Sequence, residues 1–364
     1  MSARVSVFPV RPAAEAEGAS LRNVDALVER GLVAAEARAP LDAVARRYAV
    51  SLTPAVAALI DPSDPADPMA RQFVPDAAEL VTAPEELADP IGDAAHSPVE
   101  GVVHRYPDRA LLKLVHACPV YCRFCFRREM VGPGGDALTG EKLDAAFAYL
   151  AARKEIWEVV MTGGDPLILS ARRVREITAR LAGLDHVKVT RWHTRVPMVQ
   201  PERITADYAR ALLVPGKASY LAVHANHPRE FTPAARAALA RLADAGHVLI
   251  SQSVLLKGVN ADVATLSALM RAFVENRVKP YYLHHPDLAP GTGHFRLSLA
   301  EGQALVKSLR GHLSGLCQPT YILDIPGGAG KIPVGPAFLS GCETPGSGGV
   351  AEDRDGRLHA YPPA

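Results

Sequence analysis

Cys118, Cys122 and Cys125 stand in the run His116-Ala-Cys-Pro-Val-Tyr-Cys-Arg-Phe-Cys-Phe-Arg-Arg128, a C-x3-C-x2-C cluster that directly follows the apolar stretch Leu111–Val115. Three thiolates at this spacing can hold three irons of a 4Fe–4S cluster and leave the fourth without a protein ligand, whereas an electron-transfer cluster takes four cysteines. An open iron can bind a substrate or cofactor. A structural zinc site competes poorly, because it needs four closed ligands in paired knuckles and His116 offers at best a strained fourth. Buried structural cysteines compete no better, since three thiols flanked by Arg123, Arg127 and Arg128 make a poor apolar core.

The second candidate centre is Leu323-Asp-Ile-Pro-Gly-Gly-Ala-Gly-Lys331. It is not a nucleoside triphosphate loop, because Ile325 takes the place of the first glycine and Ile332 follows the lysine. A lysine at the tip of a glycine loop can instead be a Schiff-base nucleophile, if partial desolvation or a nearby cation keeps some of its amine neutral. Pyridoxal 5′-phosphate (PLP) is the cofactor that uses such a lysine; a solvated loop lysine is the bland alternative. Gly163-Gly164-Asp165 is a glycine turn with a carboxylate beside it, a weak signal by itself. His224, Asn226, Gln252 and Ser253 are equally weak singly, since a polar residue at a strand end is often a satisfied core group.

Positioning these groups requires repeated βα units. From residue 111 onward, short β-branched or apolar runs alternate with stretches of helical period. Seven strands are predicted: Leu111–Val115, Glu158–Thr162, His186–Thr190, Tyr220–His224, Val248–Val254, Pro280–His284 and Thr320–Ile325. Between them, segments such as Arg172–Ala182 carry Val174, Ile177 and Leu181 at helical steps, so parallel strands with right-handed crossovers follow. The fold class is α/β, an open or partial barrel. Its reactive face lies at the carboxyl ends of the strands, and there the polar residues gather: the cysteines after the first, Gly163-Gly164-Asp165 after the second, His193-Thr194-Arg195 after the third, His224-Ala-Asn226-His227 after the fourth, Gln252-Ser253 in the fifth, His284-His285-Pro-Asp287 after the sixth and Asp324 in the seventh.

The first hundred residues show helical patterns instead (Leu21, Val24, Leu27, Val28; Val56, Leu59, Ile60), punctuated by Asp61-Pro62, Asp64-Pro65 and Asp67-Pro68. A helical N-terminal region over 1–98, a barrel with the lysine loop over 99–340 and a C-terminal tail over 341–364 are the expected divisions. The tail is Gly/Pro/Asp-rich, with a hairpin at Asp355-Gly356 or disorder as the alternatives. With 364 residues, 48% of them hydrophobic and 22% charged, the chain can bury a large core. A net charge of +1 gives no electrostatic case for nucleic acid or an anionic membrane, so small molecules are the expected partners. Neither a signal-peptide core nor a run of about 18 apolar residues occurs, and the expected location is the cytoplasm. Cys317 and Cys342 lie outside the cluster and are expected reduced.

At the exit of a first strand, the cysteine spacing resembles the radical S-adenosylmethionine (SAM) superfamily, in which SAM chelates the open iron and is cleaved to a 5′-deoxyadenosyl radical. The PGGxGK loop with Asp324 seven residues before Lys331, the Asp287-Leu-Ala-Pro-Gly-Thr-Gly-His-Phe295 segment and the Gln252-Ser-Val-Leu-Leu-Lys-Gly-Val-Asn260 segment extend the likeness. Together with the cysteine run they resemble the lysine 2,3-aminomutase family, in colinear order over roughly residues 70 to 340. The resemblance implies a partial (β/α)6-type radical SAM barrel. It also implies that Cys118, Cys122 and Cys125 hold the 4Fe–4S cluster, that Gly163, Gly164, Asp165, His224 and Gln252 position SAM, and that Lys331 carries PLP with Arg105 and Arg109 at its phosphate. Arg127 would pair with the α-carboxylate of the substrate, and Asp287 and Asp324 with its side-chain ammonium.

The activity implied is migration of the α-amino group of L-lysine to the β-carbon, fed with electrons by a flavodoxin or ferredoxin. The family's cysteine-rich, zinc-binding C-terminal segment is absent from this sequence, so no zinc is expected and a homo-oligomer is left open. Residues Leu283-His-His-Pro before Asp287 depart from the family's usual ones. An aminomutase for another amino acid, or one serving modification of elongation factor P, is the nearest alternative; an iron–sulfur redox or sensor protein without PLP is the alternative of another class.

Overall fold

The computed structural model of the chain describes residues 18–341 and 348–362; Cys342 lies outside them. Nine strands form one sheet in sequence order: β1 (Val102–Tyr106), β2 (Arg109–Val115), β3 (Glu158–Gly163), β4 (Val189–Thr194), β5 (Ala218–His224), β6 (Val248–Val254), β7 (Val278–His284), β8 (Thr320–Ile325) and β9 (Gly330–Pro333). From β2 to β8 every pairing is parallel. Each step is bridged by a helix: Gly140–Ala152, Ala171–Ala182, Ala206–Ala211, Pro233–Asp244, Val263–Glu275 and Leu299–Leu309. Parallel neighbours need such crossovers, since a tight turn cannot reverse the chain twice. Val174, Ile177 and Leu181 are buried as their spacing predicts, in one core with Leu112 and Leu114 of β2 and Trp192 of β4. The sheet is the expected partial radical SAM-type barrel.

Three details differ from the sequence reading. β1 and β9 are antiparallel edge strands that it missed. The segment His104–Arg109, for which no strand is predicted before Leu111, is a hairpin: Tyr106 pairs with Arg109 across Pro107-Asp108. β4 begins at Val189 instead of His186 and runs through His193 to Thr194. Arg191 and His193 interrupt the apolar alternation because they face the barrel lumen, where Arg191 meets Glu158 at 3.0 Å.

The edges of the sheet meet without a ladder between them. Tyr106 Oη accepts from Lys331 N at 2.8 Å, and His96 Nε2 lies 3.2 Å from Gly328 O. A Cβ on Gly92 would fall 2.6 Å from Gly327 C, so only glycine lets the 92–96 segment close on the lysine loop. Helices Val24–Glu29, Arg38–Arg47, Pro54–Ala57 and Pro68–Phe73 make up the N-terminal region. Leu27, Leu52, Met69 and Phe73 belong to the barrel's own core, so this region is packed as part of the barrel. Beyond β9, the strands β10 (Leu339–Ser340), β11 (Gly349–Glu352) and β12 (Leu358–Tyr361) form a small antiparallel sheet. The hairpin at Asp355-Gly356 joins its last two strands; Asp353 Oδ1 accepts from Asp355 N and Arg357 N, both at 2.9 Å.

Candidate active site

The cysteine loop leaves β2 and is held from both sides. Gly164 N donates to Val115 O at 2.5 Å, and Asp165 N to Ala117 O at 3.0 Å. A Cβ on Gly163 would sit 2.2 Å from Val115 O, and one on Gly164 2.2 Å from Ala117 O. These glycines are therefore required by the approach of the cysteine loop itself. Asp165 is spent inside the protein: its carboxylate accepts from Thr194 Oγ1 and from the amides of Leu167, Arg195 and Val196. From the other side, Tyr121 N reaches Ser51 O and Arg123 N reaches Gln72 O, each at 2.9 Å.

The three thiols are free and partly exposed. Burial raises all of them, Cys125 to about 11. Cys122 has a compensating partner in Arg195, whose Nη1 lies 3.0 Å from its Sγ. Arg195 is itself braced by Gln72 Oε1 at 2.6 Å and Glu230 Oε2 at 2.9 Å. Among the described residues no three His, Cys, Asp or Glu side chains converge on a single-ion site. A closed zinc knuckle needs such convergence, whereas a cluster takes one cysteine per iron.

Arg127 is buried next to the cysteines. Its Nε and Nη2 donate to Asp93 Oδ2 at 3.1 and 2.8 Å, and its Nη1 to Thr162 Oγ1 at 3.3 Å. Arg105 Nη2 shares Asp93 at 3.3 Å and also reaches Ile91 O. Burial pushes the Asp93 carboxyl up, but the Arg127 guanidinium and the charges of Lys113 and Arg105 together outweigh it and hold the group below the ordinary carboxylate range. Arg109, at the start of β2, stacks on Tyr106 with 3.8 Å to the ring centroid. Through Tyr106 the two arginines flank the residue that anchors the Lys331 backbone.

Across the lumen, β8 and β9 place Asp324 and Lys331 in register, and Lys331 Nζ bonds both oxygens of Asp324. His284 Nδ1 lies 3.5 Å from Asp324 Oδ2. Burial opposes ionisation of Asp324, yet the His284 contact and the Lys331 charge bring it down to about 2. Asp287 makes no ion pair among the described residues; burial first, and then the Asp324 charge, push it up to about 7. Two imidazoles border this space with buried, unpartnered Nε2 atoms, His193 and His284. Burial lowers both, His193 well below the ordinary range. His224 Nε2 contacts Asn226 Oδ1 at 3.2 Å and pairs in register with Gln252 on β6.

The structure thus gathers the cysteines, Gly163, Gly164, Asp165, His224, Gln252, Arg127, Asp287, Asp324 and Lys331 at one end of the lumen. Arg109 lies at the opposite end of β2. Sequence reasoning missed Asp93, Thr162, Tyr106 and Lys113. Only the β2 alternation, which turns Lys113 to the same face as Arg109, could have signalled the last of these.

A sequence model of the radical SAM superfamily matches residues 112–268, and one described as lysine-2,3-aminomutase matches residues 306–345. The chain is 41% identical to the L-lysine 2,3-aminomutase of Clostridium subterminale over 290 residues, 80% of this chain and 70% of that one. It is 38% identical to the L-lysine 2,3-aminomutase of Methanococcus maripaludis over 293 residues, 80% and 67% of the two chains. The glutamate 2,3-aminomutase of Clostridioides difficile is 34% identical over 296 residues, 81% and 70%. No helix among the described residues is long and apolar enough to cross a membrane. With a barrel and a lysine segment that both match, the chain belongs to the lysine 2,3-aminomutase family of radical SAM isomerases.

Proposed function

We propose that this enzyme moves the α-amino group of L-lysine to the β-carbon, using a 4Fe–4S cluster on Cys118, Cys122 and Cys125, SAM, and PLP on Lys331. The observation that carries the reading is the pair of carboxylates, Asp287 and Asp324, beside a single amine, Lys331 Nζ. If Lys331 gives its amine to a cofactor carbonyl, Asp324 loses its cation and Asp287 already lacks one. A distal substrate ammonium supplies the missing charge. A substrate γ-carboxylate in that place meets two acids and is repelled, which disfavours glutamate.

The residues fit the proposed groups. Three thiols on one loop, one of them against Arg195, suit a cluster whose fourth iron is open. The orphaned Nε2 atoms of His193 and His284 ask for a polar ligand between β4 and β7. Arg109, stacked and oriented at the lower end of the lumen, suits a phosphate. When bound, the cluster and SAM supply a carbon radical and PLP supplies a π-system that delocalises the substrate radical. The protein's part is placement. Arg127, fixed by Asp93 and Thr162, orients the α-carboxylate; Asp287 and Asp324 hold the far end, so the β-carbon is presented in one pose. A low-potential reductant such as flavodoxin or ferredoxin would supply the electron.

The test is anaerobic incubation of the cluster-reconstituted protein with SAM, PLP, reductant and L-lysine, with β-lysine read by mass spectrometry. Formation dependent on both cofactors is expected, as is loss of bound-PLP absorbance in Lys331→Ala. Cleavage of SAM without β-lysine overturns the substrate, and failure to bind PLP overturns the aminomutase reading in favour of a redox or sensor protein.

A further inference from the structure

We propose that Lys113 is a second cation of the carboxylate site, reading the α-carboxylate of the amino-acid substrate together with Arg127. The inference rests on the function proposed above and concerns a residue to which it gives no role.

β2 alternates, so Arg109, Leu111 and Lys113 face the lumen while Ala110, Leu112 and Leu114 pack outward in the core. Lys113 is the register partner of Thr162 on β3, and Thr162 Oγ1 is the group that receives Arg127 Nη1 at 3.3 Å. Lys113 therefore leaves the β2–β3 ladder beside the very residue that Arg127 contacts. Both line the same narrow crevice with His116, Met130, Val131 and Gly163.

Charge gives the reason for a ligand. Asp93 takes the Nε/Nη2 side of Arg127 and shares itself with Arg105. Asp89, the next carboxylate, is spent on the amides of Asp93 and Ala94. The side chain of Lys113 has no hydrogen bond or ion pair among the described residues; burial lowers its ammonium, the charges of Asp93 and Asp89 oppose that from a distance, and Arg127 adds like-charge repulsion, so the group stays below its ordinary range. Arg105, Arg127 and Lys113 thus outnumber the carboxylates that face them. A half-buried ammonium with no carboxylate in direct contact is costly, and an apolar residue such as Leu111 would fill the position at no such cost. An incoming carboxylate removes the penalty: the end of the guanidinium that Asp93 leaves open offers Nη1 and Nη2, and Lys113 Nζ offers a third donor beside them.

A carboxylate could come from the amino acid or from the methionine moiety of SAM, and the experiment separates them. Binding of L-lysine and of L-lysinamide to the PLP-loaded protein is measured by calorimetry, and SAM binding to the cluster-loaded protein likewise, for wild type, Lys113→Met and Lys113→Arg. A charge-assisted contact sets the scale at about tenfold or more. The expected result is that Lys113→Met loses about tenfold of the preference for lysine over lysinamide, that Lys113→Arg restores it, and that SAM affinity is unchanged. An undiminished preference in Lys113→Met overturns the inference and leaves the proposed function standing, as does a loss confined to SAM. If the wild type itself shows no preference for the carboxylate, the inference and the assigned role of Arg127 fall together.

Discussion

Glu79 lies in a 3-10 turn of the N-terminal region, far in sequence from the cysteines, and it ties that region to them. It is fully buried. Its oxygens accept from Arg123 Nε at 2.9 and 3.1 Å, from Arg123 Nη2 at 2.5 Å and from Arg128 Nη2, while Oε1 also caps Asp76 N at 2.8 Å. Arg123 stands between Cys122 and Cys125, and Arg128 closes the loop. Glu79→Gln keeps the size of the side chain and the cap on Asp76, since a glutamine serves in a capping box, but removes the one anion between two buried guanidiniums. Breaking a buried pair costs about 3–5 kcal/mol. Two cations depend on Glu79, which pushes the cost up; Arg123 Nη1 keeps Ala49 O, and Arg128 Nη1 keeps Arg123 O and Gly291 O, which pulls it back. The expected loss is about 4 kcal/mol, a large share of the ~5–15 kcal/mol that holds a protein folded. The assay is urea unfolding of the apo protein beside iron content per chain after reconstitution. A loss below about 1 kcal/mol, the size expected of a solvated surface pair, with iron content unchanged would refute the claim that Glu79 organises the cysteine loop.

Gly164→Ala is expected to abolish cluster loading, because its Cβ would meet Ala117 O at 2.2 Å, whereas Gly315→Ala, with open space around it, is expected to be silent; iron content per chain reads both. Asp93→Asn is expected to release Arg105 and Arg127 and to destabilise the protein at neutral pH. Because the folded Asp93 carboxyl lies below its usual 3.8, its stabilisation is present above that pH and lost as pH falls through the folded value. The wild-type and variant unfolding curves should therefore converge in acid. For Asp287 the sign reverses: with a folded value of about 7 against 3.8, stability falls as pH rises between the two, so apo Asp287→Asn should be the more stable protein at pH 8 and lose that advantage near pH 4. In the wild type, affinity for a diamino acid should climb as pH rises toward about 7, where Asp287 ionises, and level off above it; titration calorimetry checks it.

The parallel strands were legible because alternation with helical segments has a clear period, and the cysteines because their spacing is tied to cluster chemistry. β4 was placed too early because Arg191 and His193 face a lumen that holds charge, which a rule built on apolar interiors reads as the end of a strand. β1 and β9 escaped because each is short and owes its place to partners elsewhere, Tyr106 to Lys331 and Gly92 to the lysine loop. Gly163 and Gly164 read in the sequence only as a weak glycine turn; in the structure they also admit the backbone of the cysteine loop. Asp93 and Glu79 had no local signal at all. Each sits in a short turn whose sequence explains only the turn, and the arginines they hold lie far along the chain.

The distribution of charge in the lumen argues for one kind of ligand. On the β2–β3 side Arg105, Arg127 and Lys113 surround Asp93, leaving positive charge in excess. On the β7–β9 side Asp287 and Asp324 face Lys331, leaving negative charge in excess. If the two zones served only stability, they would pair with each other, since separated buried charges cost several kcal/mol that a direct ion pair in good geometry partly recovers. Among the described residues no ion pair joins the two zones, although Arg127 and Arg105 are near enough for their charge to act on Asp287. A molecule with a carboxylate at one end and an ammonium at the other satisfies both at once, and an α-amino acid with a cationic side chain is such a molecule. A dicarboxylate would satisfy the first wall and be repelled by the second.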